Sequence, residues 1–431
     1  MSFVAKQRQV FFLTWIAYAG FYLCRKNLSI VLPAVQGRSG LGTLQLANIV
    51  FGYTLLYVLG QFGCGLLSDR IGAKKVVGTG LLLAVGCNLL MATHLSFVWL
   101  LVFACLNGVG QSTGWSGLVK IMAIWFSRSN RGVVMAWWGT NYVLGGFVAT
   151  ALATWAVTQP FLLPQLGWRR GFLFPAFILL AITFLFLAGI DGRSAEDTSS
   201  GERSASETIS TAMSSNYWSD LYELLRKPSL WMVSVSYFFL ELCRYALMFW
   251  LPLYMVDHLR FDLQTSGYIS SLYELVGIAG AVIAGYASDY FMQSRRAPVC
   301  AVMLCAFGCV LLFQPALAHN GALGVAVLVS LAGVFSYGPD TLLSGACAQD
   351  VGEMKAAATA TGLIEGIGHA GALLSPYVVV LVSAHYGWNS LFIVFASAAF
   401  LAGLVLMPMW NLQPRRQKEV QLANEVLRVA G

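Results

Sequence analysis

Along most of its length the chain alternates apolar runs of about twenty residues with short polar turns, and very few folds tolerate that pattern. The runs fall near 11–35, 46–67, 76–95, 97–126, 131–158 and 171–190, then 229–256, 266–288, 297–318, 322–349, 356–384 and 387–410. Each is long enough to carry a helix across a bilayer core, which takes roughly 20 mostly apolar residues. In hydrocarbon every backbone N–H and C=O must be satisfied within its own segment, which leaves helices as the natural solution. The expected fold class is therefore an all-α membrane protein with twelve transmembrane helices. Charged residues make up 10% of the chain, where a soluble domain carries roughly 25%. The first apolar run continues through Val35, longer than the core of a cleaved leader, so it reads as a retained span.

The stretch 191–228 differs in kind. DGRSAEDTSSGERSASETISTAMSS is polar and reads as a flexible linker, while NYWSDLYELLRK reads as a short amphipathic helix on the membrane surface. The expected organisation is a six-helix bundle over 1–190, a cytoplasmic linker over 191–228, and a second six-helix bundle with a cytoplasmic tail over 229–431. Internal repetition supports it. Gly65-Leu-Leu-Ser68-Asp69 recurs as Gly285-Tyr-Ala-Ser288-Asp289, and Gly167-Trp168 as Gly387-Trp388, both at an offset of 220; Arg25 and Arg244 are 219 apart. Parallel repeats of this kind place a binding site near the bilayer midplane.

Basic residues collect on the cytoplasmic side of membrane helices. With a cytoplasmic N-terminus, the outer loops hold only Arg38, Arg169, Arg170 and Arg260 of the 26 Lys and Arg, and both termini and the linker are cytoplasmic. The net charge of +7 is spread in short runs between apolar segments, which suits a lipid surface and not nucleic acid. The nine cysteines contain no CxxC pair and lie in apolar segments, so they read as packing residues with no metal site. No phosphate-binding glycine loop and no nucleophile–base set is present, so neither a cofactor nor enzyme activity is expected.

Eight charged residues fall inside the apolar runs: Arg25, Lys26, Lys120, Arg244, Glu241, Glu274, Asp340 and Glu365. A charge at the centre of a membrane helix costs at least about 2.5–3.5 kcal/mol, so such residues face a wet cavity or a partner. Arg25 and Arg244 hold equivalent places in the first and seventh runs. Two guanidiniums facing one cavity repel each other until an anion with several oxygens lies between them, and phosphate fits their paired planar donors best. The competing reading neutralises each arginine with an internal carboxylate, and Glu241 stands one turn from Arg244. Lys26 points about 100° away from Arg25 and is expected to pair with Glu274 or Glu241 as a gating or structural bridge. Lys120 is expected to reach the membrane surface. Glu365 and His369, four apart, share a helix face and suit a cavity lining, a proton relay or a buried pair. Tyr18 and Tyr22 lie on the Arg25 face, and Tyr53 and Tyr57 share a face of the second helix. Asp69 and Arg70, in the turn expected after the second helix, read as a conformational latch.

GLLSDRIGAKK resembles the loop 2–3 motif of the major facilitator superfamily. YAGFYLCRKNLSIVLP, GQSTGW, LELCRYALMFWLPLY, SLYELVGIAG, SYGP and ATGLIEGIG resemble the organophosphate:phosphate antiporters within it. That resemblance implies two pseudo-symmetric bundles and exchange of a sugar phosphate or glycerol 3-phosphate for inorganic phosphate by alternating access. It implies that Arg25 and Arg244 hold the phosphoryl group, with Tyr18, Tyr22, Tyr57 and Tyr337 in support. At further site positions of the family this chain has Gln61, Tyr142 and His369, and Phe249 replaces an acid. The expected setting is a bacterial inner membrane, as a monomer. Two other classes fit the same residues: a proton-coupled carrier of another organic anion using Glu365, His369 or Asp340, and an organophosphate sensor that does not transport.

Overall fold

A computed structural model of the chain describes residues 3–126, 131–159, 161, 163–190, 217–293, 295–318 and 321–412. The polar linker up to residue 216 and the tail from 413 lie outside the described residues.

The first helices are α1 (Phe3–Ser39), α2 (Thr43–Ile71), α3 (Ala73–Met91), α4 (Phe97–Trp125), α5 (Arg131–Trp138), α6 (Thr140–Thr158) and α7 (Arg170–Gly189). They are followed by the short α8 (Tyr217–Arg226), where the amphipathic helix was expected, and by α9 (Pro228–Asp257), α10 (Leu263–Tyr286) and α11 (Arg296–Ala318). The last are α12 (Gly321–Thr341), α13 (Ala348–Tyr386) and α14 (Trp388–Val405). Eleven of the described helical stretches are long and apolar enough to cross a membrane. The remaining expected span lies in α1, which has 37 residues and whose apolar surface is interrupted by Arg25 and Lys26.

Three boundaries differ from the sequence reading. The expected span 131–158 is broken at Gly139 into α5 and α6. The expected gap after 349 is helical, because α12 runs through a π-turn at Leu342–Cys347 directly into α13. The GLLSD motif is not a loop: α2 continues through Asp69 and Arg70 to Ile71. Nothing before Gly72 breaks the helix. Gly72 then turns the chain at φ 93°, a conformation that a side chain strains. Lys120 is half-buried, and its Nζ donates to the Ser68 carbonyl at 3.0 Å. That carbonyl is among the last four of α2, which have no donor in their own helix and carry the negative end of its dipole.

The described residues gather into two compact units. Within the described residues, one draws on 3–190, 246–275 and 373–388, the other on 217–245, 276–372 and 389–412. In the first, α1 lies against α4, α6 and α7, and α4 against α2 and α3. Phe21, Leu81, Leu118, Trp138 and Phe186 fill the space between them. The segment of α13 in this unit brings Tyr377, whose hydroxyl donates to Asn48 Oδ1 at 3.0 Å. In the second unit α13 approaches α9 very closely. A Cβ at Gly371 would stand 2.1 Å from the Phe238 carbonyl oxygen, so only glycine fits.

Candidate functional site

Arg25 sits two-thirds of the way along α1, and polar side chains from the surrounding helices fasten that stretch. Asn107 Nδ2 donates to the Cys24 carbonyl at 2.7 Å, and Gln111 Nε2 to the Phe21 carbonyl at 2.9 Å. Asn27 Nδ2 donates to Asn88 Oδ1 at 2.8 Å and to the Gly171 carbonyl at 3.0 Å. A carbonyl has two lone pairs, so α1 accepts the first two bonds without giving up its own ladder, and donates the other two through Asn27. Three helices, α3, α4 and α7, therefore set the height and rotation at which Arg25 is presented.

Arg25 is only 5% exposed. Its guanidinium lies over the rings of Tyr22 and Tyr57, at 4.7 and 4.5 Å from their centroids. Gln61 Nε2 donates to the Tyr57 hydroxyl at 2.8 Å. Tyr18 stands edge-on to Tyr22 at 5.8 Å and packs on Trp115 and Trp138 at 5.3 and 5.7 Å. Tyr53 stacks parallel to Tyr57 at 6.3 Å. Tyr142 is half-buried beside the same core. Aromatic faces attract a cation but accept no conventional hydrogen bond. Among the described residues no carboxylate pairs with Arg25, and the Tyr53 hydroxyl lies within reach of its guanidinium. A buried guanidinium without a carboxylate can take a multi-oxygen anion.

Lys26, the next residue, turns to the opposite side and forms an ion pair with Glu274 of α10, both side chains almost wholly buried. Phe249 is fully buried and meets Tyr53 at 6.1 Å, so no acid competes from that position.

Arg244, in the second unit, is placed differently. Its Nη1 meets Glu241 Oε1 at 2.5 Å, one turn back on α9, and Asp340 Oδ1 of α12 at 2.6 Å. The Tyr237 hydroxyl donates to the same Asp340 oxygen at 3.1 Å. The Tyr337 ring lies against the guanidinium at 4.6 Å. The two arginines thus differ: Arg244 meets carboxylates, as the competing reading had it, while tyrosines surround Arg25. Arg244 is neutralised by carboxylates that α9 and α12 bring to it. His369 Nδ1 bonds the Glu365 backbone carbonyl at 2.7 Å and not the Glu365 carboxylate, so the ring carries its proton on Nδ1. Asp69 has a backbone position in α2 but its side chain is outside the described set, and Arg70 is exposed at the end of that helix.

The sequence reading missed Tyr237, the asparagines 27, 88 and 107, and Gln111. The signal was there for Asn107 and Gln111, two amides one turn apart in an otherwise apolar helix. It also missed Arg296, which pairs with Asp289 of the repeated motif and approaches Asp350 at 3.6 Å.

A sequence model of the Major Facilitator Superfamily matches residues 11–376. The glycerol-3-phosphate transporter of Bacillus subtilis is 30% identical over 427 residues, spanning 95% of this chain and 93% of that protein. A glucose-6-phosphate exchanger of Danio rerio is 26% identical over 459 residues, with 92% and 90% covered. A probable hexose phosphate transport protein of Chlamydia muridarum is 25% identical over 435 residues, with 94% and 91% covered. Among solved structures, a bacterial homolog of the human lysosomal transporter Spinster shares the fold at a TM-score of 0.73 and 13% identity, over 93% of this chain and 96% of that one.

Proposed function

Because the chain belongs to the major facilitator superfamily, we propose that it is a secondary transporter that exchanges an organophosphate for inorganic phosphate by alternating access. The observation that carries this reading is Arg25: a buried guanidinium, surrounded by tyrosines, that no carboxylate among the described residues neutralises. The names of the relatives point to glycerol 3-phosphate and hexose phosphates as the substrate class. A phosphoryl group supplies what Arg25 lacks, a cluster of charged acceptors matching the planar fork. Tyr22 and Tyr57 hold the fork in position, and Gln61 and Tyr18 fix those rings. Arg244 is a further phosphoryl-binding arginine, at the equivalent place of a repeat that runs over 1–190 and 229–431, with 191–228 as the connector. No covalent step is involved. Both termini face the cytoplasm of a bacterial inner membrane, and a single chain suffices.

The test is reconstitution. Proteoliposomes loaded with labelled phosphate should release it when glycerol 3-phosphate or glucose 6-phosphate is added outside, and not when the external solution lacks a phosphorylated solute. Arg25→Lys and Arg244→Lys should each abolish that release, since an ammonium cannot supply paired planar donors. Exchange near the wild-type rate in both variants refutes the assignment.

A further inference from the structure

Around Arg244 one guanidinium faces two acids, and the charge does not balance. Glu241 Oε1 and Asp340 Oδ1 converge on the same nitrogen, Nη1, and their side chains are 4% and 9% exposed. With both acids ionised the triad carries one net negative charge, so an acid that loses Nη1 has no second guanidinium to hold it ionised. Among the described neighbours only His369, when protonated, offsets that charge. From α9, Tyr237 donates to Asp340, and Tyr245 faces His369 at 6.4 Å. From α12, Tyr337 presents its ring to Arg244. From α13, Glu365 adds a further acid in electrostatic reach of Asp340 and Glu241, and His369 interacts with Asp340. On the other side α12 meets α10 and α11 through Gly277 and Met303.

We propose that Asp340 is a proton-binding site coupled to the anion: when a phosphoryl group takes Arg244, Asp340 leaves Nη1 and binds a proton. This rests on the reading that Arg244 receives the phosphoryl group. Both acids now occupy the guanidinium as internal anions, so an entering anion must displace one. Glu241 is tethered one turn away on the helix that carries Arg244 and cannot move far from it. Asp340 arrives from another helix, immediately before the π-turn at Leu342–Cys347, an irregularity of the kind that lets a helix segment shift. The Tyr237 hydroxyl, already on Oδ1, keeps the displaced acid hydrogen-bonded. The balance is simple. Water on the open side supplies one proton to the Asp340 carboxylate, and that proton returns to water when the anion departs and the Arg244–Asp340 pair re-forms. Each anion thus binds together with a proton, and affinity falls up to tenfold per pH unit once Asp340 must be protonated against the solution.

Isothermal titration of the purified full chain in lipid nanodiscs tests this, with glycerol 3-phosphate at pH 8 in two buffers of different ionisation enthalpy. The second ionisation of a phosphate monoester, near 6, is then complete, so the ligand contributes no proton uptake of its own. The wild type should take up about one proton per ligand bound, and so should Glu241→Gln; Asp340→Asn should bind with uptake near zero. Binding by the wild type without uptake overturns the proposal, whether or not any variant folds. Undiminished uptake by Asp340→Asn also overturns it. In both cases the transport reading survives. If neither glycerol 3-phosphate nor inorganic phosphate binds the wild type at all, the transport reading fails and this one with it.

Discussion

Lys26 and Glu274 offer a sharp test of how the first unit is held together. Their side chains are 4% and 2% exposed, so water cannot replace a missing partner. Lys26→Met leaves Glu274 as a buried acid whose cheapest escape is to take a proton. For a carboxyl that ordinarily titrates near 4.3, neutralisation at pH 7 costs about 3.7 kcal/mol, which caps the loss. Glu274→Gln leaves Lys26, and removing its proton at pH 7 costs about 4.6 kcal/mol from an ordinary value near 10.4. Both figures lie in the range of roughly 3–5 kcal/mol found when one partner of a buried pair is deleted. They correspond to a fall of roughly 7–18 °C in unfolding midpoint for a unit of this size. The pH dependences run in opposite directions. The Lys26→Met loss grows by about 1.4 kcal/mol per unit as pH rises, and shrinks toward acid, where Glu274 is protonated in the unfolded chain as well. The Glu274→Gln loss shrinks instead as the solution becomes alkaline. The double variant has no charge left to neutralise and should recover most of the stability. Thermal unfolding in detergent from pH 5 to 9 reads all three. Additive losses in the double variant, or parallel pH slopes in the two singles, refute the reasoning.

Tyr57→Leu removes one of the two rings under Arg25; a cation–π contact of about 0.5–2 kcal/mol predicts glycerol 3-phosphate binding weakened roughly two- to thirtyfold, with Tyr57→Phe much closer to wild type, as a Kd measurement will show. Gly371→Ala forces α13 away from the Phe238 carbonyl and should cost about 1–3 kcal/mol or more in thermal unfolding, where Ala at Gly366, with open space around it, should be near neutral. Asp262 caps α10, accepting from Thr265 N at 2.9 Å and Thr265 Oγ1 at 2.7 Å, and those bonds hold its carboxyl below the usual range. Its stabilisation is therefore present above the ordinary carboxylate value and is lost as pH falls through the lowered one; Asp262→Ala should cost about 0.5–2 kcal/mol at pH 7 and lose that difference in strong acid, measured by thermal unfolding.

The helical architecture was legible because the bilayer acts as a solvent with one demand. A run of about twenty apolar residues has no other way to satisfy its backbone there, so length and hydropathy located most helices without tertiary information. The same logic exposed the buried charges. Arg25, Lys26, Glu241, Arg244, Glu274 and Asp340 stood out because an ionised group inside such a run needs a reason. Helix ends were less legible. The α2 helix runs on to Gly72, and α12 passes into α13 without a gap, since no strong breaker lies in either stretch and polar residues near a membrane surface are compatible with helix.

Partnership was decided by the fold. Lys26 had two candidate acids, and which of them lies opposite depends on the rotation and depth of α1 and α10, at 100° and 1.5 Å per residue. An error of one residue in either helix moves a carboxylate out of reach. Arg244 meets Asp340 across 96 residues, and no local pattern announces that contact. Lys120 ends on the Ser68 carbonyl, an acceptor that every residue type carries and that leaves no mark on the sequence. Residue chemistry along the chain determined that charges lay within the membrane; only three-dimensional packing determined that Arg25 is surrounded by tyrosines while Arg244 is already held by two acids.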